Sequence, residues 1–323
     1  MSTTTKNVTL LVPCYNEAES IGGVIDQLPR RKLRDAGYRV DVLVVDNDSS
    51  DETAAVALAH GAAVVHEARR GKGNAIRAGF SAISDDTDYV VMVDGDDTYK
   101  TSEILRLLEP LESGFCDVVL GSRLAGKMTQ NSMRGFNRLG NWLFSVLIRN
   151  VYKVNVTDTL TGYFAWRRDV IVELRSHIVS EGFAIEMEMI TKQARLGFET
   201  YSVPITYAPR VGETSLRPIR DGFRILGTFL RQLAWAPDLE LAPRVADITY
   251  PPHVAVTSLG FAAERDAIPF ERLPGLIPVD DLGRSAHVVW RAKAVSPAAS
   301  VTRSRAPDAF GDRRLVSRRQ RPN

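Results

Sequence analysis

The sequence has little cysteine, no long apolar run and no strong excess of either charge. Two cysteines in 323 residues, Cys14 and Cys116, are too few for a disulfide scaffold and favour a reducing, cytosolic environment. The strongest apolar stretch, residues 142–148, is far shorter than the ~20 residues of a membrane-spanning helix, so we expect no transmembrane segment. The net charge of +2 does not indicate a nucleic-acid-binding protein. The N-terminal residues lack the pattern of a secretory signal, so we expect none.

Apolar and polar stretches alternate through the first two hundred residues. Short apolar runs predict strands at residues 8–12, 40–45, 63–65, 89–93 and 118–121. Helical patterns follow the first four of them, at residues 18–28, 51–60, 73–82 and 101–111. This rhythm predicts an α/β fold with a mostly parallel, mixed sheet flanked by helices. Ligands of such sheets bind at the carboxyl ends of the strands.

The composition changes after residue 236. Ten of the sixteen prolines lie beyond this point, and Lys293 is the only lysine there. We therefore predict one domain over residues 1–236, with an amphipathic helix at about 217–235. A Pro/Arg-rich extension, residues 237–323, follows it, and poor order is one interpretation of its composition.

An acidic string follows the apolar run at 89–93. Asp94, Asp96 and Asp97 lie together after this strand, and clustered carboxylates repel one another unless a cation separates them. Hard oxygen ligands favour Mg²⁺ or Mn²⁺. We predict a metal site formed by these three residues, and a plain acidic turn is the alternative.

Polar residues also follow the first two strands. Pro13, Tyr15 and Glu17 come after the first, and Asp46 ends the second. A carboxylate at the end of a sheet strand can accept hydrogen bonds from a ribose or a base edge. Asp46 is therefore a candidate ligand of a nucleotide.

A glycine-rich turn precedes the helix predicted at 73–82. Lys72 lies between Gly71 and Gly73, a pattern similar to a phosphate-cradling turn. The string has the spacing of neither a Walker loop nor a GxGxxG fingerprint, which disfavours an ATPase or a dehydrogenase. Lys72 and Gly73 are predicted to contact the phosphates of a nucleotide.

The strand-end motifs occur together in the order and spacing of a known family. The strings are VPCYNE, VVDNDSSDET, GKGNAIRAG and DGDD. In these motifs the sequence resembles family 2 glycosyltransferases with the GT-A fold. The resemblance implies that Pro13, Tyr15, Glu17 and Asp46 contact the nucleotide of a sugar-nucleotide donor. It also implies that the carboxylates of residues 94 and 96 hold the metal and the donor diphosphate.

Later segments narrow the resemblance to the dolichyl- or polyprenyl-phosphate hexose synthases, over residues 6 to 235 or so. These segments are GSRL, RGFNRLGNWLFSVLIRN, VTDTLTGYFAWRRDV, EGFAIEMEM and PITYAPRVGETSL. The match implies that Arg123 and Arg138 grip a lipid phosphate. It implies that Arg210 belongs to a loop that closes over the donor.

Two positions depart from the pattern of these synthases. Thr98 stands where the mannosyl-phosphate branch often has a glutamine metal ligand, and Asn47 replaces a common aspartate. The departure at Thr98 leaves the sugar open, and Asp97 is a candidate for the missing oxygen ligand. UDP-glucose and GDP-mannose both remain candidate donors.

The resemblance implies an inverting, metal-dependent hexosyltransferase that uses Mg²⁺ or Mn²⁺ and a polyprenyl phosphate acceptor. A phosphomonoester is largely dianionic at neutral pH, so this acceptor needs no strong general base. The alternative is a soluble or cell-wall hydroxyl acceptor, for which Asp158 or Glu186 is the candidate base. Plain structural interpretations compete: Asp158 orders the turn before TGY, and Glu186 pairs with an arginine. A nucleotidyltransferase and a non-catalytic binding protein are more distant alternatives.

A polyprenyl phosphate lies in a bilayer, so the enzyme must reach a membrane surface. Apolar residues recur at helical spacing in residues 217–235, with arginines between them, as in an interfacial helix. Residues 138–152 have a similar pattern, and in both segments packing on the protein's own domain is the competing interpretation. We expect a cytoplasmic protein that is peripheral on the inner face of the cell membrane.

Overall fold

The computed structural model describes residues 5–129, 132–133, 135–211, 217–237 and the backbone of 254–257. Its strands are β1 Lys6–Cys14, β2 Tyr38–Asp46, β3 Ala63–Glu67, β4 Tyr89–Met92, β5 Val118–Met128, β6 Phe164–Arg167, β7 Thr200–Tyr207 and β8 Val254–Thr257. Its helices are α1 Ile21–Asp26, α2 Arg30–Asp35, α3 Thr53–Ala59, α4 Lys72–Ser81, α5 Ile104–Glu112, α6 Gly135–Tyr152, α7 Arg168–Leu174, α8 Ile185–Arg195 and α9 Pro218–Gln232.

The strands form one mixed sheet in the order β7-β5-β6-β4-β1-β2-β3-β8. Strands β4, β1, β2 and β3 are mutually parallel, as is the β5–β7 pair. Strands β6 and β8 run antiparallel to their neighbours. The prediction of a mostly parallel, mixed sheet flanked by helices is therefore confirmed.

Helices cover both faces of the sheet, so its central strands alternate between two apolar cores. Val8, Leu10 and Val12 of β1 pack in one core together with α1, α2, α3 and α5. Leu11 points to the other face and packs with α4, α7, α8 and α9. A parallel strand covered on both sides needs apolar residues at successive positions, which explains the continuous apolar runs in the sequence.

The predicted strands and helices are present, with shifted bounds. The helix predicted at 18–28 is shorter, α1 Ile21–Asp26. The segment before it is bonded to residues that follow β2: the amide of Glu17 donates to Thr53 Oγ1 (2.8 Å), and the amide of Ala18 donates to Asp51 Oδ2 (3.1 Å). Strands β6, β7 and β8 and helices α2, α7 and α8 were not predicted.

Two further predictions concern membrane spans and the domain boundary. Within the described ranges no helix is both long and apolar enough to cross a bilayer. Most of the predicted extension lies outside the described residues, but β8 pairs with β3 at the edge of the sheet. The boundary near residue 237 stays a prediction.

Candidate active site

The carboxyl ends of β4, β1 and β2 lie side by side, and the loops that follow β1 and β2 are bonded together. The amide of Asn16 donates to Ser49 Oγ (3.0 Å), and the amide of Ser50 donates to Asn16 Oδ1 (2.8 Å). The amide of Ala18 donates to Asp51 Oδ2 (3.1 Å). Two motifs that are thirty residues apart in sequence therefore form one wall of a cleft.

Lys72 connects two carboxylates across the cleft. Its Nζ lies 2.7 Å from Asp94 Oδ1 and 2.6 Å from Glu186 Oε1. Asp94 follows β4, Lys72 begins α4, and Glu186 is in the first turn of α8. Burial alone would lower the pKa of Lys72, but the two carboxylates outweigh it and raise this pKa, so the ammonium stays charged.

Arg210 connects two further carboxylates, those of Glu17 and Asp96. Its Nη1 lies 3.1 Å from Asp96 Oδ2, and its Nη2 donates to Glu17 Oε1. Thr98 fixes the other oxygen of Asp96, with its hydroxyl at 2.6 Å and its amide at 3.1 Å. Arg210 follows β7, and residues 212–216 beyond it lie outside the described residues. The predicted closure of this loop over the donor stays a prediction.

These four carboxylates share two cations, so the cluster carries an excess of two negative charges when every group is ionised. Burial raises the pKa of Glu17 to about 7, and the neighbouring Asp96 and Asp94 add to the shift. Burial also raises the pKa values of Asp96 and Glu186. A divalent cation would offset the excess negative charge of the cluster, so the residues fit a metal.

Asp97 is not brought into this cluster. Its Oδ1 accepts hydrogen bonds from Gln27 Nε2 (2.7 Å) and Lys100 Nζ (3.0 Å). Its backbone has a φ of 56°, in the left-handed region. No group of three or more potential metal ligands is assembled in the described part of the chain. The structure thus corrects the proposed set of three carboxylates: only Asp94 and Asp96 remain together.

Asp46 has a buried oxygen that lacks a partner among the described residues. The side chain is 5% exposed, and its Oδ2 lies 3.2 Å from His66 Nδ1. Its Oδ1 is buried and accepts no hydrogen bond. An unsatisfied buried acceptor is costly, and an N–H or O–H donor of a ligand would satisfy it. The position fits the predicted contact with a base or ribose.

Pro13 lies near the end of β1, and Tyr15 follows that strand directly. The ring of Tyr15 is partly exposed, and the Arg70 guanidinium carbon lies 5.1 Å from its centroid. Arg70 is held in turn by Asp48, with Nε 2.8 Å from Oδ2. An aromatic ring and a guanidinium together offer flat surfaces on which a nucleobase can stack.

The phosphate-cradling interpretation of Gly73 is wrong in this structure. The amide of Gly73 donates to the carbonyl of Glu181 (2.8 Å), so it is not available to a phosphate. A Cβ at Gly73 would lie 2.0 Å from the Ser180 carbonyl oxygen. The glycine is needed because the 180–181 segment packs directly on the turn.

Arg123 and Asp158 form a buried pair beside the cleft. Arg123 Nε donates to Asp158 Oδ2 and Nη2 donates to Oδ1, both at 2.8 Å. The amide of Arg123 and the side-chain amide of Asn141 donate to the same carboxylate. Burial opposes ionisation of Asp158, but Arg123 and Asn141 outweigh it and lower its pKa. Asp158 is therefore a poor base, and the interpretation that it orders the turn before TGY is the one that fits.

Arg123 keeps part of its guanidinium for another partner. Its Nη2 also donates to the carbonyl of Leu160, which uses both hydrogens of that nitrogen. The two N–H groups of Nη1 have no partner among the described residues. Arg138 is exposed on α6, next to Leu124 and Trp142 at a shallow surface groove. The predicted contact of both arginines with a lipid phosphate stays a prediction.

The apolar residues predicted for one face of α9 divide between two surroundings. Phe229 is buried and Leu226 packs against the core. Ile219, Phe223 and Leu230 remain exposed, by 69%, 71% and 56%. The helix therefore packs on its own domain with one side and leaves an apolar strip outside.

Two residues of the site's surroundings were not predicted. Asn47 donates to the carbonyls of Glu67 (2.9 Å) and Arg69 (2.7 Å) and accepts from the amide of Gly71 (2.7 Å). An aspartate could not make the two donations, so the departure from the family pattern has a structural reason. Asn141 is buried on α6, whose outer face is apolar. A polar residue on the inner face of such a helix is the sequence feature that could have identified it.

Comparisons with known proteins agree with this geometry. The family model described as Glycosyl transferase family 2 matches residues 9–175. "Glycosyltransferase AglJ" of Haloferax volcanii is 39% identical over 219 residues, which cover 67% of this chain and 68% of that protein. The "Dolichyl-phosphate hexose transferase" of the same organism is 32% identical over 68% of this chain and 90% of its own length. The "Undecaprenyl-phosphate mannosyltransferase" of Micrococcus luteus is 34% identical, over 65% and 87%.

Solved structures share the fold. Glucosyl-3-phosphoglycerate synthase from Mycobacterium tuberculosis, in complex with Mn²⁺, UDP and glucosyl-3-phosphoglycerate, superposes with a TM-score of 0.55 at 24% identity. The alignment covers 72% of this chain and 82% of that one. At this identity the likeness supports the GT-A fold alone.

Proposed function

This chain belongs to glycosyl transferase family 2, and from that membership we propose that it transfers a hexose from a nucleoside diphosphate sugar to a polyprenyl phosphate. The observation that carries the proposal is the charged cluster at the end of β4. Asp94 and Asp96 lie there between Lys72 and Arg210, at the carboxyl edge of parallel strands where such folds bind ligands.

The donor's groups match the chemistry of the cleft. Asp46 Oδ1 is the acceptor for a base or ribose donor, and Tyr15 with Arg70 provides the stacking surface. Asp94 and Asp96 would hold Mg²⁺ or Mn²⁺, which would supply Lewis-acid stabilisation of the departing diphosphate. Lys72 and Arg210 are positioned to add positive charge on either side of that leaving group.

The acceptor is inferred in part from the state of Asp158, one of the two candidate bases. Its carboxylate is fully bonded and its pKa is lowered, which makes it a poor base for an alcohol. A phosphate dianion needs no such help and can attack the anomeric carbon from the side opposite the diphosphate. The Nη1 edge of Arg123 is a donor for that phosphate. Relatives named for dolichyl- and undecaprenyl-phosphate transfer support this choice.

We also propose that α6 and α9 rest on a membrane surface, so that the protein is peripheral on its cytoplasmic side. The exposed strip of α9 is flanked by the exposed arginines Arg220, Arg224 and Arg231. Apolar side chains with arginines around them suit an interface rich in anionic lipid. Phe223→Ser should weaken sedimentation with anionic vesicles severalfold. Phe115→Ser, at a 57%-exposed phenylalanine outside both helices, should not.

A donor panel tests the reaction. The purified protein is incubated with Mn²⁺ or Mg²⁺, a short polyprenyl phosphate in anionic vesicles, and UDP-glucose, UDP-N-acetylglucosamine or GDP-mannose. The expected result is a hexosyl phospholipid from one donor, detected by mass spectrometry, and none in the presence of EDTA. Intact donor and no lipid product under every condition would contradict the proposal.

One alternative acceptor has structural support. Glu186 has a raised pKa and lies across Lys72 from Asp94, so it is the remaining candidate base for a hydroxyl acceptor. The solved structures of similar fold include complexes with phosphoglyceric acid, which is soluble. Donor consumption with a soluble acceptor, abolished by Glu186→Gln, would favour this alternative.

A further inference from the structure

The outer face of helix α6 is apolar, and part of its inner face is polar. Six large apolar residues of the helix are 40% to 69% exposed: Phe136, Leu139, Trp142, Leu143, Leu147 and Val151. Two of its three buried residues, Asn141 and Ser145, are polar, while the third, Ile148, lies in the apolar core beside Phe144 and Tyr152. Apolar packing therefore accounts for only part of the inner face, and hydrogen bonds hold the rest.

The inner face is bonded to a single turn, residues 158–160. Asn141 Nδ2 donates to Asp158 Oδ1, and Asn141 Oδ1 accepts from the amide of Leu160 (3.0 Å). Ser145 Oγ accepts from the amide of Thr159 (3.0 Å). Asn141 is 2% exposed and uses both ends of its side-chain amide.

The same turn touches both halves of the candidate active site. Asp158 and the carbonyl of Leu160 hold three of the five N–H groups of Arg123. Gly162, two residues beyond the turn, packs on the side chain of Asp94: a Cβ there would lie 2.1 Å from Asp94 Oδ2. A shift of this turn would therefore change the direction of the remaining N–H groups of Arg123. Asp46 and Tyr15, the proposed contacts of the sugar nucleotide, lie on other segments.

We propose that Asn141 is a positioning residue that sets the direction of the Arg123 guanidinium toward the acceptor's anionic group. The inference rests on the proposed function, because it takes the acceptor to be a phosphate. Asn141 acts through Asp158 and the Leu160 carbonyl and touches no substrate. It also links α6, with its apolar outer face, through the 158–160 turn to Arg123 of β5.

The test separates acceptor binding from donor binding. Wild type, Asn141→Ala and Asn150→Ala are compared for acceptor KM, kcat, donor Kd and melting temperature, with a short polyprenyl phosphate in vesicles. Asn150 is the matched control, since it is on the same helix and its side chain only donates to the carbonyl of Val146 (2.8 Å). Asn141→Ala should raise the acceptor KM about tenfold or more and change the donor Kd by a much smaller factor, because Gly162, which packs on Asp94, lies beyond the residues that Asn141 bonds. Asn150→Ala should leave both unchanged.

Two more variants guard against a purely structural explanation. Asn141→His retains one donor and one acceptor nitrogen and should recover part of the acceptor KM. Ser145→Ala removes the hydrogen bond to the Thr159 amide but keeps the bond between Asn141 and Asp158. The acceptor KM of this variant should therefore change less than threefold. An unchanged acceptor KM in folded Asn141→Ala, or equal effects of Asn141→Ala and Ser145→Ala, would overturn the inference. Failure of the wild type to glycosylate any lipid phosphate would instead overturn the proposed function.

Discussion

Two groups of buried charges lie beside each other in this protein, and they differ in how completely they are satisfied. In the Arg123–Asp158 pair, four N–H donors converge on one carboxylate that is fully buried. In the cluster around Asp94, four carboxylates share Lys72 and Arg210, and the side chain of Asp94 is 25% exposed. The first group lowers a carboxyl pKa, and the second raises three of them.

The difference indicates which group serves structure and which serves a ligand. In a buried ion pair whose carboxylate already accepts four hydrogen bonds, only the unbonded N–H groups of the guanidinium can bind a substrate. A cluster with excess negative charge is destabilised until a cation or a cationic surface reaches it, so it is held in place by the rest of the fold. If the two groups differ in this way, substitutions in them should have different effects on activity and on stability.

The largest effect is expected from Asp96→Asn. Loss of this carboxylate removes half of the remaining metal pair, so kcat should fall by about 10³-fold. The melting temperature should not fall, because the change removes a buried charge from a repulsive cluster. Asp97→Asn is the matched control and should retain activity within a few-fold. Equal losses from both changes, measured by steady-state kinetics, would return Asp97 to the metal site.

The next effect is on folding and concerns Asp158→Asn. Breaking a buried, fully bonded pair by changing one partner costs about 3–5 kcal/mol, which urea denaturation measures directly. Glu186→Gln should cost much less, because Lys72 keeps Asp94 as a partner. An Asp158→Asn protein of normal stability but without activity would instead support a general base at this position.

Gly162→Ala should damage activity with a smaller effect on folding. The new Cβ would meet Asp94 Oδ2 at 2.1 Å, so the carboxylate must move. A displacement of about 1 Å in an active site can cost about 10²-fold in rate, and we expect a loss of 10- to 100-fold. Gly182→Ala is the control, since a Cβ there meets nothing within 4 Å. Equal activities of the two variants would show that the exact position of Asp94 does not matter.

The smallest effect is the pH dependence that Glu17 gives to stability. Burial raises its folded pKa to about 7 from an ordinary value of 4.5, so the folded state binds the proton more tightly. The stabilisation is present below pH 4.5 or so and is lost as the pH rises through about 7. In the presence of EDTA, the melting temperature should fall more between pH 5.5 and pH 8 for the wild type than for Glu17→Gln. Parallel pH profiles would contradict the assignment.

The sequence was most informative where the chain repeats a local pattern. Short continuous apolar runs and the polar strings after them predicted β1 to β4 and the edge at which Asp46, Asp94 and Asp96 lie. Strands β6 and β7 were missed because the antiparallel pairing of β6 and the parallel pairing of β7 with the distant β5 have no local sign. Asp97 was placed in the metal site by proximity in sequence, whereas its contacts with Gln27 and Lys100 appear only in the structure.

The fold class, the family resemblance and the set of charged residues in the site follow from periodicity and short motifs, so they could be predicted before the structure was known. The pairing of those charges depends on contacts between residues that are far apart in the sequence. Asp158 and Glu186 were equivalent candidates for a general base in the sequence. In the structure Asp158 is bonded to Arg123 and Asn141, whereas Glu186 pairs with Lys72. Burial and hydrogen-bond partners set the pKa of a carboxylate, and both come from residues far away in the sequence.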